Sequence, residues 1–455
     1  AEFVVGILLM AAEDEEATFG EGYWSEHRTY NTDLLENFCA VFPERFKNLL
    51  LEEKIFTYFD THAFLKPRSE RYAVRHGALR QYHGVFCDEE KNALIQRRKE
   101  SKHQVRSGYG AGDVVRVALL DKLLCLVVNK LATLDPSGIG IEMEADKPSW
   151  YDSLNGLPGL FGSSISETFE LKRLITLLKT ALEEFKTPDA AGIDVIAEVA
   201  GFMRSLAELL AGGADGFDYW DKANTIKEAY RLKVRSGFDG ARENIKVAEL
   251  KKFFGLALRK LDQGIAAGLE AKTGLPTTYF IHTATKYQTK TDASGRSYPS
   301  PESFRMSRLP LFLEGPVHAL RTEKDRAASI HRSVRQSGLW DKKLGMYKVN
   351  TSLAKESFEI GRTKAFTPGW LENESVWLHM EYKYLLELLK NGLYKEFYED
   401  FFGALVPFQK PEIYGRSILE NSSFIVSSAH PDASLHGAGF VARLSGSTAE
   451  FIHIW

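Results

Sequence analysis

The strongest constraint on the fold is the run Val114 to Leu134, long enough for a helix and apolar nearly all round it. Leu119, Leu123, Leu124, Val127, Val128 and Leu131 leave it no continuous polar face. A helix of that kind is stable only when other elements cover it. Asp135-Pro-Ser-Gly-Ile-Gly140 ends the run. The partners it needs are present. Glu167 to Phe185 is amphipathic, with Leu171, Leu174, Ile175, Leu178, Ala181 and Leu182 on one side. Further helical runs cover 192–211, 218–234 and 244–271, then Ala327–Ser337 and Val376–Lys390. In the last of these, Trp377 and Met380 begin a face that Leu385, Leu388 and Leu389 continue. Near the start, Leu34, Leu35, Phe38 and Val41 form another helical face.

Residues 43–110 are charged and weakly periodic. Glu89 to Arg106 predicts a solvated helix or an extended arm, and Arg97 to Lys102 a solvent face. Thr277 to Thr283 predicts a strand, and the Ser/Thr/Pro/Gly-rich stretch Gln288 to Phe304 a loop. No repeat of roughly 20–50 residues stands out. The periodicity establishes a mainly α chain. Paired helices with the unusual residues in long connections suit an (α/α)6 barrel, a toroid whose active site lies among the loops at one mouth.

Composition narrows the function. Hydrophobic residues at 44% and charged residues at 26% fit a globular protein rather than a disordered one. A net charge of −3 provides no global basic field, which argues against non-specific nucleic-acid binding. Aromatics at 12% exceed what a plain helical scaffold needs, and either line a carbohydrate cleft or fill a core. Cys39, Cys87 and Cys125 form no CxxC pair and no metal spacing with His, so we expect reduced thiols, a cytoplasmic setting and no metal site. Phe3 to Met10 is apolar but too short to span a bilayer, and no membrane partner is expected. Ala1 is not an initiator Met, and Phe451-Ile-His-Ile-Trp455 is an apolar end without a cap, so a larger parent protein is expected.

The chemistry concentrates in Lys147-Pro-Ser-Trp-Tyr-Asp-Ser-Leu-Asn-Gly-Leu-Pro-Gly-Leu-Phe-Gly-Ser-Ser164. Asp152 lies beside Trp150 and Tyr151, with Asn155 close by, and prolines and glycines hold the backbone in turns. Aromatic faces suit sugar rings, and desolvation raises a carboxyl pKa toward neutrality, as a proton donor at a glycosidic bond requires. An ordinary tight turn with an N-capping Asp contains the same residues. Elsewhere, Tyr23, Trp24 and His27 crowd just before a helix, where they either stack a sugar or form a polar core. Glu314 precedes Gly-Pro. Trp370, Glu372, Asn373 and Glu374 lie at a helix start, where acids also complement the helix dipole. Arg416, Glu420, Asn421, Ser422 and Ser423 either hold an anion or sugar hydroxyls or form a solvated turn. Ser445-Gly-Ser-Thr448 before a helical tail is a phosphate cradle of hydroxyls and backbone N–H groups, though a common pattern. No Walker A loop, GxSxG elbow, HExxH or deaminase motif is present.

Trp150-Tyr-Asp152, the Gly-Ser-Ser before Glu167, Phe-Leu-Glu-Gly at 312–315, Gly-Trp…Trp at 369–377 and Leu-Ser-Gly-Ser at 444–447 follow one order. That order resembles the catalytic barrel of inverting β-glucoside phosphorylases: the cellobiose phosphorylase family, glycoside hydrolase family 94, and its β-glucan relatives, families 149 and 161. The wording Leu154 to Gly162 is closer to the oligoglucan-acting relatives. The resemblance implies residues 1–455 as a catalytic (α/α)6 barrel, lacking the family's N-terminal β-sandwich and C-terminal jelly roll. It implies Asp152 as general acid, with Tyr151 in place of the family's Asn. Ser447 and Thr448 fall on the loop that touches phosphate, and Glu420 is similar to the Glu of a Glu-Pro-Tyr segment. Asn373 stands where family 94 has a phosphate-binding His, which weakens the phosphate assignment or moves it to Arg416 and a His elsewhere; Arg416, Ser447, Thr448 and Asn373 are the expected phosphate contacts.

Trp150, Tyr151, Asn155, Tyr23, Trp24, His27, Trp370, Glu374 and Glu420 are the expected sugar contacts. The implied reaction is phosphorolysis of β-gluco-oligosaccharides, best matched to β-1,3-glucan, with inorganic phosphate as co-substrate and no cofactor. These phosphorylases are often dimers. Two rivals stand beside it. One is an inverting hydrolase on the same barrel, with Glu374, Glu372 or Glu314 placing a water. The other is a non-catalytic carbohydrate-binding or assembly subunit.

Overall fold

The computed structural model describes Gly6, Met10, residues 27–441 and residues 446–455. The first helices are α1, His27–Val41, and α2, Pro43–Leu51. A region of short strands and loops follows: β1, Ala63–Leu65; β2, Tyr72–Arg75; β3, Ala78–Gln81; and β4, Val85–Cys87. Helix α3, Glu89–Gln96, then begins on Asp88, whose side chain accepts the Glu90 and Lys91 N–H groups. The charged stretch beyond α3 is not a solvent face throughout. Arg98 is buried and bonds Asp60 at 2.7 Å, and Lys91 bonds the other oxygen of the same carboxylate at 2.6 Å. Burial of one acid drew in two cations that periodicity alone places outside.

Helix α4, Leu119–Leu131, is the apolar run, and eight of its side chains are buried, from Leu119 round to Leu131. It starts later than Val114 because Val114 and Val117 form extended bridges with Arg106 and Phe56. After the two-residue strand β5, Ile141–Glu142, and the loop bearing Asp152, β6, Ser163–Ser164, leads into α5, Ile165–Glu184. The Ser164 hydroxyl caps α5 through the Ser166 N–H at 3.2 Å. The run expected from 192 begins as β7, Gly192–Ile196, and becomes α6, Ala197–Ala211. Its β-branched residues Ile193, Val195 and Ile196 pair with β8, Arg242–Lys246, which in turn precedes α8, Val247–Gly268. Helix α7, Gly216–Lys233, lies between them in sequence.

The expected loop 288–304 is instead most of a long ribbon. Strand β9, Tyr279–Thr291, pairs antiparallel with β10, Ser297–Arg308. Its Ser and Thr content misled because Thr and the aromatic residues favour strands as well as loops. Pro299 and Pro301 are tolerated because β10 is the edge strand of its sheet, with a register shift beside Pro301. Helices α9, Glu314–Thr322; α10, Ala327–Gln336; α11, Leu378–Lys390; α12, Tyr394–Ala404; and α13, Gly446–Ile454 complete the helical part. A short strand pair and a small three-stranded sheet lie among them. Strand β11, Trp340–Asp341, pairs with β12, Met346–Tyr347, while β13, Val376–Trp377, pairs with β14, Phe424–Ile425, and β14 with β15, Gly439–Phe440.

Helices α4, α5, α9, α11 and α13 pack side by side in that order. Helices α6 and α8 back the α4–α5 part, with α7 on α6, while α10 and α12 back α9 and α11. Among the described residues the packing is a mainly α, two-layered arc. Two apolar cores fill it. One surrounds α4 and α8, and the other surrounds α9 and α11. Helix α1 lies across the arc, tied to α5 by Asp33–Arg173, to α9 by Asp33–Arg321 and to α11 by Tyr30–Lys383.

Main-chain bonds gather the N-terminal ends of the inner helices. Ile165 N–H donates to the Thr278 carbonyl, and Gly315 N–H to the Thr278 hydroxyl. Leu313 N–H reaches Val349, Val349 N–H reaches Ser375, and Leu378 N–H reaches Ser423. The starts of α5, α9 and α11 thus share one rim. Gly446 brings α13 to it, since a Cβ there would lie 2.2 Å from the His379 ring.

Candidate functional site

The Asp152 loop is seated on this rim. Tyr151 is its anchor, fully buried, with its ring edge-on to Phe312 at 5.0 Å and near Tyr279 and Trp377. Its hydroxyl donates toward Asn350 Oδ1 and the Glu372 carbonyl. Burial of a phenol without such partners would cost free energy, so these bonds fix the ring's depth. Asp152 follows and opens a 3-10 turn, Asp152–Leu154, with its own side chain half-buried. Leu154, Leu157 and Leu160 return into the core beneath it.

The rest of the loop holds a neighbouring segment. Asn155 is exposed, and its Oδ1 accepts the Arg362 N–H at 3.0 Å. Gly361 lies close under it at φ +131, and a Cβ there would meet the Ser153 carbonyl at 2.4 Å. A Cβ on Gly156 would meet the Glu359 carbonyl at 1.8 Å. Asn155 therefore serves the loop's packing against residues 357–365.

Trp150 is half-buried, with its ring 4.3 Å from Trp377 and 5.5 Å from His379. From Trp377 the rings continue to Phe424 at 5.0 Å, Phe440 at 5.4 Å and Trp370, stacked on Phe440 at 3.9 Å. Trp150 and Trp370 thus belong to one aromatic chain. His379 is held below its ordinary pKa chiefly by burial. Its ring faces Glu450 of α13 at 3.7 Å and abuts Gly446. The acid loop and the first turn of α13 consequently flank the same Trp377–His379 segment.

Within α13, Ser447 is buried and its Oγ lies 3.4 Å from the Ser422 carbonyl; Thr448 is half-buried. The segment with Asn421, Ser422 and Ser423 therefore borders the helix start. Arg416 and Glu420 are exposed and paired with each other at 3.2 Å, while the Glu420 carbonyl accepts the Tyr414 hydroxyl. Asn373 is buried, its Nδ2 donates to the Phe366 carbonyl at 2.7 Å, and its Oδ1 has no hydrogen-bond partner among the described residues. Tyr23, Trp24, Ser445 and the side chain of His27 lie outside what the structure describes.

Three other carboxylates lie near. Glu374, at φ +56, takes Lys348 Nζ at 3.0 Å and gives its N–H to Asn350. Glu314 is buried at the start of α9 and accepts the Tyr279 hydroxyl; burial raises its pKa. Glu372 accepts the Ser153 N–H at 2.8 Å, and burial, with the charge of Asp152 as a further contribution, raises its pKa. Asn373 spends one Nδ2 hydrogen bond on the Phe366 carbonyl, and the first turn of α13 carries backbone N–H donors of the kind that suit an anion. The arrangement is therefore a carboxylate turn with buried acids behind it, aromatic rings beside it and a helix N-terminus across those rings.

Sequence reasoning missed Trp377 and His379 as the meeting point, and gave Glu372 no role in holding the acid loop. One signal was available: α11 carries His379, Glu381, Lys383 and Glu387 on an otherwise apolar helix, and Glu381, Lys383 and Glu387 are all buried. Among the described residues, no group of three or more His, Cys, Asp or Glu is placed to hold a metal ion, and no helix is long and apolar enough to cross a membrane. Cys39, Cys87 and Cys125 are unpaired thiols.

No family model matches the chain, and no curated protein matches it. Among solved structures it is similar to a glycoside hydrolase family 63 mannosylglycerate hydrolase from Thermus thermophilus, in complex with glucose. The identity is 10% and the TM-score 0.27, over 80% of this chain and 99% of that one.

Proposed function

We propose that the chain cleaves β-linked gluco-oligosaccharides by phosphorolysis, releasing α-glucose 1-phosphate in one inverting displacement, with β-1,3-glucan the favoured substrate. The observation that carries this reading is that Trp150, two residues before Asp152, and Gly446 at the start of α13 both pack against the Trp377–His379 segment. Asp152 protonates the glycosidic oxygen as the bond breaks. Phosphate attacks the anomeric carbon from the opposite face, so the β-linkage becomes an α-phosphate. The nucleophile is already an anion, so no base carboxylate is required. Trp150, with Trp377 behind it, supplies the sugar platform.

The first turn of α13 offers the phosphate site its N–H groups and the Thr448 hydroxyl, while the Ser447 hydroxyl seats that turn on the Ser422 carbonyl. Arg416 joins it by exchanging Glu420 for phosphate, which an exposed ion pair permits at little cost.

The test is incubation with inorganic phosphate and a panel of β-gluco-oligosaccharides, scoring α-glucose 1-phosphate. We expect that product from the β-1,3 series, and none from Asp152→Asn. Free glucose released without phosphate would replace this reading with hydrolysis, for which Glu372 beside Asp152 is the second carboxylate. Sugar binding unchanged by Asp152→Asn, with no turnover in either form, would make the chain a binding subunit.

A further inference from the structure

Glu372 grips the acid loop on both sides of Asp152. Its main-chain carbonyl accepts the hydroxyl of Tyr151, the residue before the acid, and also the Thr363 hydroxyl at 2.6 Å. Its carboxylate accepts the N–H of Ser153, the residue after the acid, at 2.8 Å. That N–H opens a 3-10 turn and has no partner inside the turn, so an outside acceptor decides how the peptide plane is set. A charged acceptor makes the bond short and directional. The two partners are 219 residues apart in sequence, so the bond joins the acid loop to the segment that leads into α11.

We propose that Glu372 is the positioning residue of the acid: it fixes the peptide planes flanking Asp152 and so sets the direction in which that carboxyl delivers its proton. The proposal rests on the functional reading above, in which Asp152 is the donor. Glu372 does not touch substrate in this assignment; it acts through Asp152. The groups facing its carboxylate are Asp152 on the turn, Arg362 on the adjoining 3-10 turn and the Tyr151 phenol. Asp152 raises the proton affinity of Glu372, and Arg362 lowers it. The interaction between two carboxyls is mutual, so a variant that removes the charge of Glu372 reads the coupling from the Asp152 side.

The experiment compares wild type, Glu372→Gln and Glu372→Ala in two measurements. One is the phosphorolysis rate against pH. The other is the carboxyl titration of Asp152 by NMR of selectively labelled protein, assigned with Asp152→Asn. Glu372→Gln keeps an acceptor for Ser153 and removes the charge, so folding is preserved even if Glu372→Ala is unstable. For Glu372→Gln we expect kcat to fall about tenfold with KM for sugar and phosphate held, and the alkaline limb to move to lower pH. The Asp152 midpoint should fall by about half a unit or more. For Glu372→Ala we expect a fall in kcat of roughly a hundredfold. An active wild type whose variants keep kcat and the pH limb overturns the proposal. So does an Asp152 midpoint that does not move, whatever the activity. A wild type without phosphorolysis, but with a midpoint that falls in Glu372→Gln, sinks the functional reading and leaves the clamp standing.

Discussion

Asp152 is the residue on which the proposed chemistry turns. Its replacement by Asn keeps the shape of the turn and removes the proton. Loss of general acid catalysis is expected to lower kcat by about 10²- to 10⁴-fold. Initial rates of α-glucose 1-phosphate release, with sugar affinity measured by calorimetry, check this; an active Asp152→Asn protein would remove Asp152 from the mechanism. A second residue tests burial rather than catalysis. Asp121 on α4 is 1% exposed and accepts the Tyr58 hydroxyl and the Ile196 N–H, yet burial pushes its pKa up to about 6. The folded state therefore holds this proton more tightly than the unfolded one. Its contribution to stability is fully present below the unfolded pKa and is lost as pH rises through about 6. At about 1.4 kcal/mol per unit, the loss between pH 4 and 6 is roughly 3 kcal/mol. In urea titrations across that window, Asp121→Asn should lack this decline, and an identical pH dependence in both proteins would count against the assignment.

At the scale of elements, the close approach of α13 to α11 is the feature most open to challenge. A Cβ on residue 446 would lie 2.2 Å from the His379 ring, and a ring has no slack comparable to a flexible side chain. Gly446→Ala must therefore push α13 away or turn His379 out. If the α13 first turn holds phosphate, KM for phosphate should rise about tenfold, equivalent to about 1.4 kcal/mol, with the Asp152-dependent step otherwise intact. Steady-state kinetics with phosphate varied would show it, and an unchanged KM would separate α13 from phosphate. The helices themselves were largely legible from periodicity. Glu167 to Phe185 emerged as Ile165–Glu184, and Ala327 to Ser337 as Ala327–Gln336, because each buries one regular face. The ribbon β9–β10 was not legible, since an edge strand admits the prolines that normally argue against strands. The surroundings of Asp152 were half legible. The aromatic neighbours Trp150 and Tyr151 are adjacent in sequence, but Glu372, Trp377 and His379 reach the loop only through tertiary packing, which spacing does not encode.

For the whole molecule, the question is what keeps α1 seated across the arc. Its apolar contribution is modest: Leu35, Phe38 and Cys39 pack against the core while Leu34 and Val41 are exposed. Charge does the rest. Arg321 of α9 is buried and reaches Asp33 of α1, Glu170 of α5 and Glu387 of α11. Arg173 of α5 meets Asp33, Glu36 and Glu170, and His318 meets Glu170 at 2.7 Å. Burial alone would raise the pKa of Glu170 and Asp33. Arg321 and Arg173, with His318 at Glu170, outweigh it and hold both below the usual carboxylate range, Glu170 well below. The folded state thus binds fewer protons here than the unfolded state. The stabilisation is complete above the unfolded carboxylate pKa of about 4 and is lost as pH falls through the lower folded values. Arg321→Met keeps most of the side-chain length and removes the cation from three carboxylates at once. Arg173 and His318 still face Asp33 and Glu170, so the cost is expected to fall below the about 3–5 kcal/mol of a fully unpaired buried charge. With Arg321 gone, the folded pKa values of Asp33 and Glu170 rise, so acid unfolding must begin at higher pH than in wild type. Because α1 rests on few apolar side chains, it should be released early, and proteolysis at mildly acidic pH should cut within 27–41 before it cuts the arc. An Arg321→Met protein with the wild-type acid midpoint and an uncut α1 would mean that the ion network is incidental and that α1 is held by its few apolar side chains alone.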